Sequence, residues 1–464
     1  MPYRPRMDPR LYADLDGMPD LLDAVQDYAH DILGGLDDRP VTSTARPADA
    51  EPLPTQGIGG AAALRRFETR WAPGLSASAG PRYLGFVTGG ATPAAVAGDW
   101  LTSVFDQNTI TVQDSAASSL ERESVRWIRD LLHLPDDFTG AFVTGATMSN
   151  LTGLALAREW IGDRLGVSVS TQGVAALGPV VVLSGAAHST VSKALSVLGL
   201  GRDSLHPVAL LPGRDAIDVD ALRAALRDQD GRPAIVVANA GTVNTGDFDD
   251  LDAIADLREE FPFWLHVDGA FGAFAALSPS HAHLVAGLGR ADSVCVDLHK
   301  WLNVPYDSGL QLSRHHELQA RVFGNTSAYI GVPGTDPDFV HLTPESSRRL
   351  RALPAWFTLC AYGRDGHREI VERTIALARR VGQQLAEITG VELLAPVRLN
   401  IVCLKVPGDP ADLARRIAET GVTFLTPTVH HGTPALRLAF SNWRTSEADA
   451  DRIVEVFRHL LSGG

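Results

Sequence analysis

The sequence predicts an α/β protein built on a mainly parallel sheet, and three observations carry that prediction. From about residue 80, short apolar runs rich in β-formers recur at 141–143, 180–183, 235–238, 264–267, 294–296 and 310–312. Longer stretches with helical spacing separate them. The runs are apolar throughout rather than alternating, as strands covered by helices on both faces require.

The flanks read differently. Residues 1–75 form an N-terminal helical segment, with apolar residues at helical spacing over 21–33 and a Pro-rich stretch at 46–56. Residues 76–345 are expected to form the large domain. Residues 346–464 read as a smaller α+β domain. There, 350–381 is mostly helical, 391–406 gives strands with a turn, 410–419 a helix, 436–440 a strand and 446–461 a closing helix.

Composition narrows the function. The 464 residues carry 41 Lys+Arg against 55 Asp+Glu, a formal charge of −14, which argues against a nucleic-acid surface. Three cysteines lie far apart, so neither a disulfide framework nor a CxxC metal pattern is present. The N-terminus has no apolar segment of signal-peptide type. The uncharged stretch 165–192 is interrupted by Gly173, Gly178, Pro179, Ser184 and His188, so it reads as loop and strand rather than a membrane span. A soluble cytoplasmic protein with no membrane partner is the expectation. Only three of the basic residues are lysines, namely Lys193, Lys300 and Lys405. None follows a glycine in a G-K-[ST] setting, which excludes a P-loop.

Ligands of open α/β sheets bind beyond the carboxyl ends of the strands. Here those ends carry Thr144–Thr147, Ser184–His188, Asn239–Thr242, Asp268–Ala270 and Asp297–Lys300. Lys300 stands at such an end beside His299 and Trp301, whereas Lys193 falls in a helix and Lys405 in a later strand. A buried amine is depressed in pKa by desolvation and becomes nucleophilic toward a carbonyl. Asp268 ends an interior strand. It either caps the next helix or faces a cation such as a protonated ring nitrogen; with Lys300 32 residues further on (268 to 300), the cofactor reading overtakes the cap. The turn Gly145-Ala146-Thr147 opens a helix whose free amides suit a phosphate. His188 either stacks on a flat ring or caps a helix.

HVDGAFG, DLHKW and GATMSN together resemble the fold-type I pyridoxal-5′-phosphate enzymes, and more closely the group II amino-acid decarboxylases related to aromatic-amino-acid and glutamate decarboxylases. The resemblance runs from Pro81-Arg-Tyr-Leu-Gly-Phe through Ser118-Ser-Leu-Glu-Arg-Glu to Leu438-Ala-Phe-Ser-Asn-Trp, most of the chain. It implies an aspartate aminotransferase-like fold with a seven-stranded sheet, and a homodimer with its active site at the subunit interface. It also implies that Lys300 forms the Schiff base with pyridoxal 5′-phosphate and that Asp268 pairs with the ring nitrogen. In the same way, His188 stacks on the ring, Ala270 packs on its other face, and Gly145, Ala146 and Thr147 hold the phosphate. Thr242 would lie beside the cofactor and His299 near the phosphate. Asp297 stands where relatives often have Ser or Asn, so it is expected to turn elsewhere or to bond His299.

The resemblance assigns the proton donor to Tyr329, 29 residues after the lysine (300 to 329) in a loop-rich segment. Phenylalanine there would imply aldehyde-forming chemistry instead. Phe86, Thr88 and Asn108 fall at substrate-pocket positions, and Phe86 favours a neutral or aromatic amino acid. The alternatives are a decarboxylase for an acidic amino acid such as glutamate or aspartate, and an aminotransferase that clamps its substrate with Arg437. Gly57–Ala62 satisfies GxGxxA, but Pro52 and Pro54 rather than a strand precede it, so a nucleotide-binding oxidoreductase is rejected. The histidine pairs 281/283, 315/316 and 430/431 read as surface, and no metal is expected.

Overall fold

The structure, a computed structural model, describes residues 7–43, 48–111, 115–325 and 337–462. All six apolar runs are strands. They belong to β1 (Thr139–Val143), β2 (Val182–Ser184), β4 (Ala234–Asn239), β5 (Phe263–Asp268), β6 (Ser293–Val296) and β7 (Gly309–Ser313). The seventh, β3 (Leu205–Pro207), escapes a sequence reading. It is three residues long, largely exposed, and ends in a proline at the edge of the sheet, where a missing N–H costs nothing. The order is β1-β7-β6-β5-β4-β2-β3, and only β7 runs against the others.

Continuous apolarity in β4 has a direct cause. Val236 and Ala238 pack into one hydrophobic cluster and Ile235 and Val237 into another, so both faces of the strand are covered. Each such side chain contributes about 1.5–3 kcal/mol when fully buried. A one-residue slip would carry each side chain of β4 into the opposite cluster, so the packing on both faces sets the register.

A second, antiparallel sheet follows, built from β8 (Glu392–Leu393), β9 (Ile401–Lys405), β10 (Thr426–His430) and β11 (Thr433–Ala439), in the order β10-β11-β9-β8. Helices Pro410–Glu419 and Glu447–Ser462 cover it through Leu413, Ile417, Ile453 and Phe457. Helix Ala352–Ala386 connects the two sheets and breaks at Gly363, whose φ of 57° and ψ of −166° no helix accommodates. Residues well before β1 also reach the second sheet. Leu84 N donates to Phe424 O (2.8 Å), and Ala439 N donates to Leu84 O (3.0 Å). In the same region, buried Arg82 pairs with Asp449 at 2.9 Å.

At the other extreme, helices Pro9–Asp16, Met18–Gly34 and Gly60–Arg70 bury none of their residues. No helix among the described residues is long and apolar enough to cross a membrane.

Candidate active site

The carboxyl ends of β4, β5 and β6, the turn after β1 and the loop at 86–87 enclose a cavity of about 420 Å³. Lys300 enters it from a single helical turn, Leu298–Trp301, directly after β6. Its Nζ lies 3.3 Å from Asp297 Oδ2, and Asp297 Oδ1 lies 3.1 Å from His299 Nε2. Burial pushes the Lys300 ammonium down, but Asp297 and Asp268 outweigh it and hold the amine above its ordinary value. This corrects the expectation of a pKa depressed by desolvation: two carboxylates share the cavity with one lysine. Asp297 moves the opposite way. Burial raises it, yet Lys300 and His299 bring it below the usual carboxylate range. Asp297 thus bonds where the sequence departed from the family pattern, and it serves both neighbours.

Rigid packing fixes this turn. Asn303, fully buried with a left-handed φ of 56°, donates from Nδ2 to the carbonyls of Gly89 and Ser441. A Cβ on Gly89 would collide with the Lys300 carbonyl, so only glycine lets the 85–92 loop lie against the lysine turn. His299 Nδ1 accepts from Ser308 N (3.3 Å), and its ring lies 4.2 Å from that of Tyr306.

Asp268 is aimed by a buried chain of hydrogen bonds. Asn150 Nδ2 donates to Asp268 Oδ2 (2.9 Å), and Ala270 N donates to Oδ1 (3.2 Å). With its amide so oriented, Asn150 Oδ1 accepts from His266 Nε2 (2.9 Å). His266 Nδ1 is then the acceptor from Ser293 Oγ (2.7 Å), which itself accepts from Trp264 Nε1 (3.0 Å). Burial pushes His266 down to about 4, so it is a neutral link in the chain. Among the described residues Asp268 forms no ion pair, which leaves a buried carboxylate facing the cavity without a cation of its own.

The phosphate end is a cradle. Gly145 caps the 20-residue helix Ala146–Leu165, and a Cβ there would stand 3.0 Å from His299 Cε1. Gly309 on β7 presses on the same turn: its Cβ would come within 2.5 Å of Gly145 Cα. Free amides at the helix start, a covalent amine in Lys300 and a cation-seeking Asp268 form the donor set that a phosphorylated, protonated aromatic aldehyde needs. His188 lines the cavity as well. Its Nδ1 contacts Thr190 Oγ1 (2.8 Å), and burial pushes its pKa down.

Phe86, Gly145, Ala146, Thr147, His188, Asp268, Ala270, His299 and Lys300 therefore meet around one cavity. Three expected residues do not. Thr242 turns its hydroxyl away, to Asp215, Thr245 and the Asp247 amide. Thr88 is buried against Tyr306 and the Gly85 carbonyl. Asn108 is exposed and accepts from Arg348 N at 2.8 Å. Tyr329 lies outside the described residues. Sequence reasoning missed Asn150, His266 and Ser293. Asn150 and His266 were visible inside GATMSN and HVDGAFG, but nothing in the motifs says that they touch. The histidine pairs also need correction: His281 and His430 are buried, so neither pair is simply surface.

A family model described as "Pyridoxal-dependent decarboxylase conserved domain" matches residues 61–407. The chain is 31% identical over 401 residues to an aromatic-L-amino-acid decarboxylase of Bacillus atrophaeus, covering 82% of this chain and 81% of that one. It is 30% identical over 425 residues to an L-2,4-diaminobutyrate decarboxylase of Rhizobium meliloti (strain 1021), covering 88% and 83%. The crystal structure of Oryza sativa TDC with PLP and tryptamine superposes with a TM-score of 0.87 at 22% identity, over 99% of this chain and 100% of that one.

Proposed function

The chain belongs to the pyridoxal-dependent decarboxylases, and from that premise we propose that it converts a neutral or aromatic L-amino acid to its amine and carbon dioxide, acting as a homodimer. That it is a pyridoxal-phosphate-dependent amino-acid decarboxylase, a carbon–carbon lyase, follows from the family itself. The aminotransferase alternative gives way to the same match.

Pyridoxal phosphate supplies an electron sink for the negative charge left at Cα when carbon dioxide departs. The chain's own residues do the rest. Lys300 offers the amine that holds the cofactor, and Asp297 keeps that amine supplied with a proton. Asp268, oriented by Asn150, would face the ring nitrogen and His188 the ring. Gly145, Ala146 and Thr147 would hold the phosphate with the helix N-terminus. Tyr329 is proposed to return the proton to Cα.

One observation carries the substrate class. Phe86 lines the cavity at its mouth, backed by Phe424 at 6.0 Å, which stacks on Tyr83 at 4.9 Å. Val87, Val243 and Phe271 extend this apolar wall. A single observation favours the acidic alternative: Arg437 is buried in the same wall and pairs with no carboxylate among the described residues. Incubating the holoenzyme with single amino acids and measuring amine and carbon dioxide separates the two. Turnover of tryptophan or phenylalanine above glutamate and aspartate supports the first reading, and the reverse order replaces it with the second.

The dimer rests on the N-terminal helices, which bury none of their residues and leave Leu11, Leu15 and Leu22 exposed close together in sequence. Such a face matches the self-complementary patch of a two-fold contact. Asn108 and Phe105, exposed near each other in sequence, are then available to a second copy's cavity.

A further inference from the structure

We propose that Asp215, His430 and His431 form a binding site for a divalent transition cation of the zinc class, which clasps the hairpin of the second sheet onto the loop behind the cofactor cavity. The three residues come from distant places. Asp215 lies in the loop between β3 and helix Val219–Arg227, while His430 ends β10 and His431 begins the turn into β11. Their ligand atoms all fall within 4.8 Å of one another.

The geometry is close to that of an occupied site. Tetrahedral coordination with bonds of about 2.0–2.1 Å sets neighbouring ligand atoms about 3.3 Å apart. Asp215 Oδ1 lies 2.8 Å from His431 Nε2 and 3.8 Å from His430 Nδ1, one on either side of that separation. Each of these two separations differs from the tetrahedral value by about half an ångström.

Asp215 is also held as a ligand is held. Its Oδ2 accepts from Thr245 Oγ1 (2.6 Å) and Thr242 Oγ1 (3.4 Å), which leaves Oδ1 directed at the two rings. Hydrogen-bonded carboxylates of this kind orient metal sites. Among the described residues no lysine or arginine pairs with Asp215, although it is buried. The two imidazole rings lie side by side, with centroids 4.2 Å apart. Neutral imidazoles with one carboxylate are a borderline-soft donor set. They favour Zn²⁺, Co²⁺ or Ni²⁺ over Mg²⁺ or Ca²⁺, which prefer oxygen alone. His431 is exposed, so a fourth position opens to solvent.

The consequence is mechanical. Asn244 already ties the hairpin to the 242–245 loop, accepting from Thr428 Oγ1 (2.8 Å) and donating to Val429 O (3.1 Å). Val243 of that loop lines the cofactor cavity, and its carbonyl accepts from Arg437 on β11 at 3.1 Å. An ion on Asp215 would secure the same junction from its other side.

The test uses untagged, metal-stripped holoenzyme titrated with zinc chloride in a calorimeter, with bound metal counted by elemental analysis after dialysis. One zinc per chain is expected, with a raised Tm. His431→Ala and Asp215→Asn should each weaken binding by more than about tenfold. Exposed His431 is the safer variant for folding, checked by an unchanged cofactor absorbance. Absence of a bound equivalent, or one that survives in both variants, overturns the proposal.

Discussion

The carboxyl edge of the seven-stranded sheet and the N-terminal helices are made from equally ordinary residues, but they are held in opposite ways. At the sheet edge each functional group has its partner within the chain: Asp268 has Asn150, Lys300 has Asp297, and His299 has Ser308. Helices Pro9–Asp16, Met18–Gly34 and Gly60–Arg70 bury no residue, and Leu11 and Leu22 are 63% and 55% exposed. Groups that are oriented by partners in their own chain can be read from one chain. A surface left apolar asks for a second chain.

The largest effect should come from the sheet edge. Lys300→Ala removes the only lysine in the cavity, since Lys193 is exposed on a helix and Lys405 pairs with Glu392 on β8. Activity should fall by at least about 10³-fold, and borohydride should no longer fix the cofactor to the protein, while the sedimentation coefficient stays as in wild type. A reducible adduct at another lysine would displace Lys300. Leu22→Asp should do the reverse. Losing about 1.5–3 kcal/mol of burial on each of two subunits weakens self-association by about 100-fold or more, with the cofactor site still able to bind. Unchanged sedimentation at low concentration would break the comparison at its weaker side.

How far the sequence is legible follows the same division. Periodicity reveals strands that are buried on both faces, such as β4 and β5, because burial and apolarity coincide there. It fails for β3 and β10, which are short or contain proline and lie at sheet edges. Motif residues at strand ends were legible because topology alone brings strand ends together. Thr242 was misread because its direction depends on Asp215, a residue no motif contains. Asn150, His266 and Ser293 were illegible as a set, since a helix and two strands must pack before they touch. The raised amine of Lys300 was invisible too: its cause is a pair of carboxylates whose distances only the fold supplies.

Within the sheet edge, the buried relay offers a finer test. Asn150→Ala leaves His266 Nε2 without its acceptor and Asp268 without its side-chain donor. A hydrogen bond to a charged group is worth about 1.5–3 kcal/mol, so cofactor affinity should drop about 10–100-fold. A packing defect alone would lower Tm without touching the cofactor's spectrum. Loss of orientation at Asp268 should instead shift the pH at which the bound cofactor's absorbance changes. If that pH is the same in variant and wild type, Asn150 only fills space.

The smallest effect asks how completely the helix beside the sheet excludes a proton. His367 is 1% exposed on helix Ala352–Ala386. Its Nε2 faces the Thr358 carbonyl at 3.4 Å, and its buried Nδ1 has no hydrogen-bond partner among the described residues. Burial pushes it from 6.5 down to about 4, so the folded chain keeps it neutral where the unfolded chain takes up a proton. Stability from this group is therefore complete above about pH 6.5 and is lost progressively as the pH falls toward 4. Asp249, raised to about 6 by burial, works in the opposite direction over part of that range, so the wild-type profile alone does not isolate the histidine. Comparison with His367→Phe does. The wild-type Tm should fall relative to that of the variant by on the order of 5 °C between pH 6.5 and 4, with the two curves parallel above pH 7. Parallel curves over the whole range would mean that water or a local opening reaches the ring, and that this side of the core is held less tightly than its packing implies.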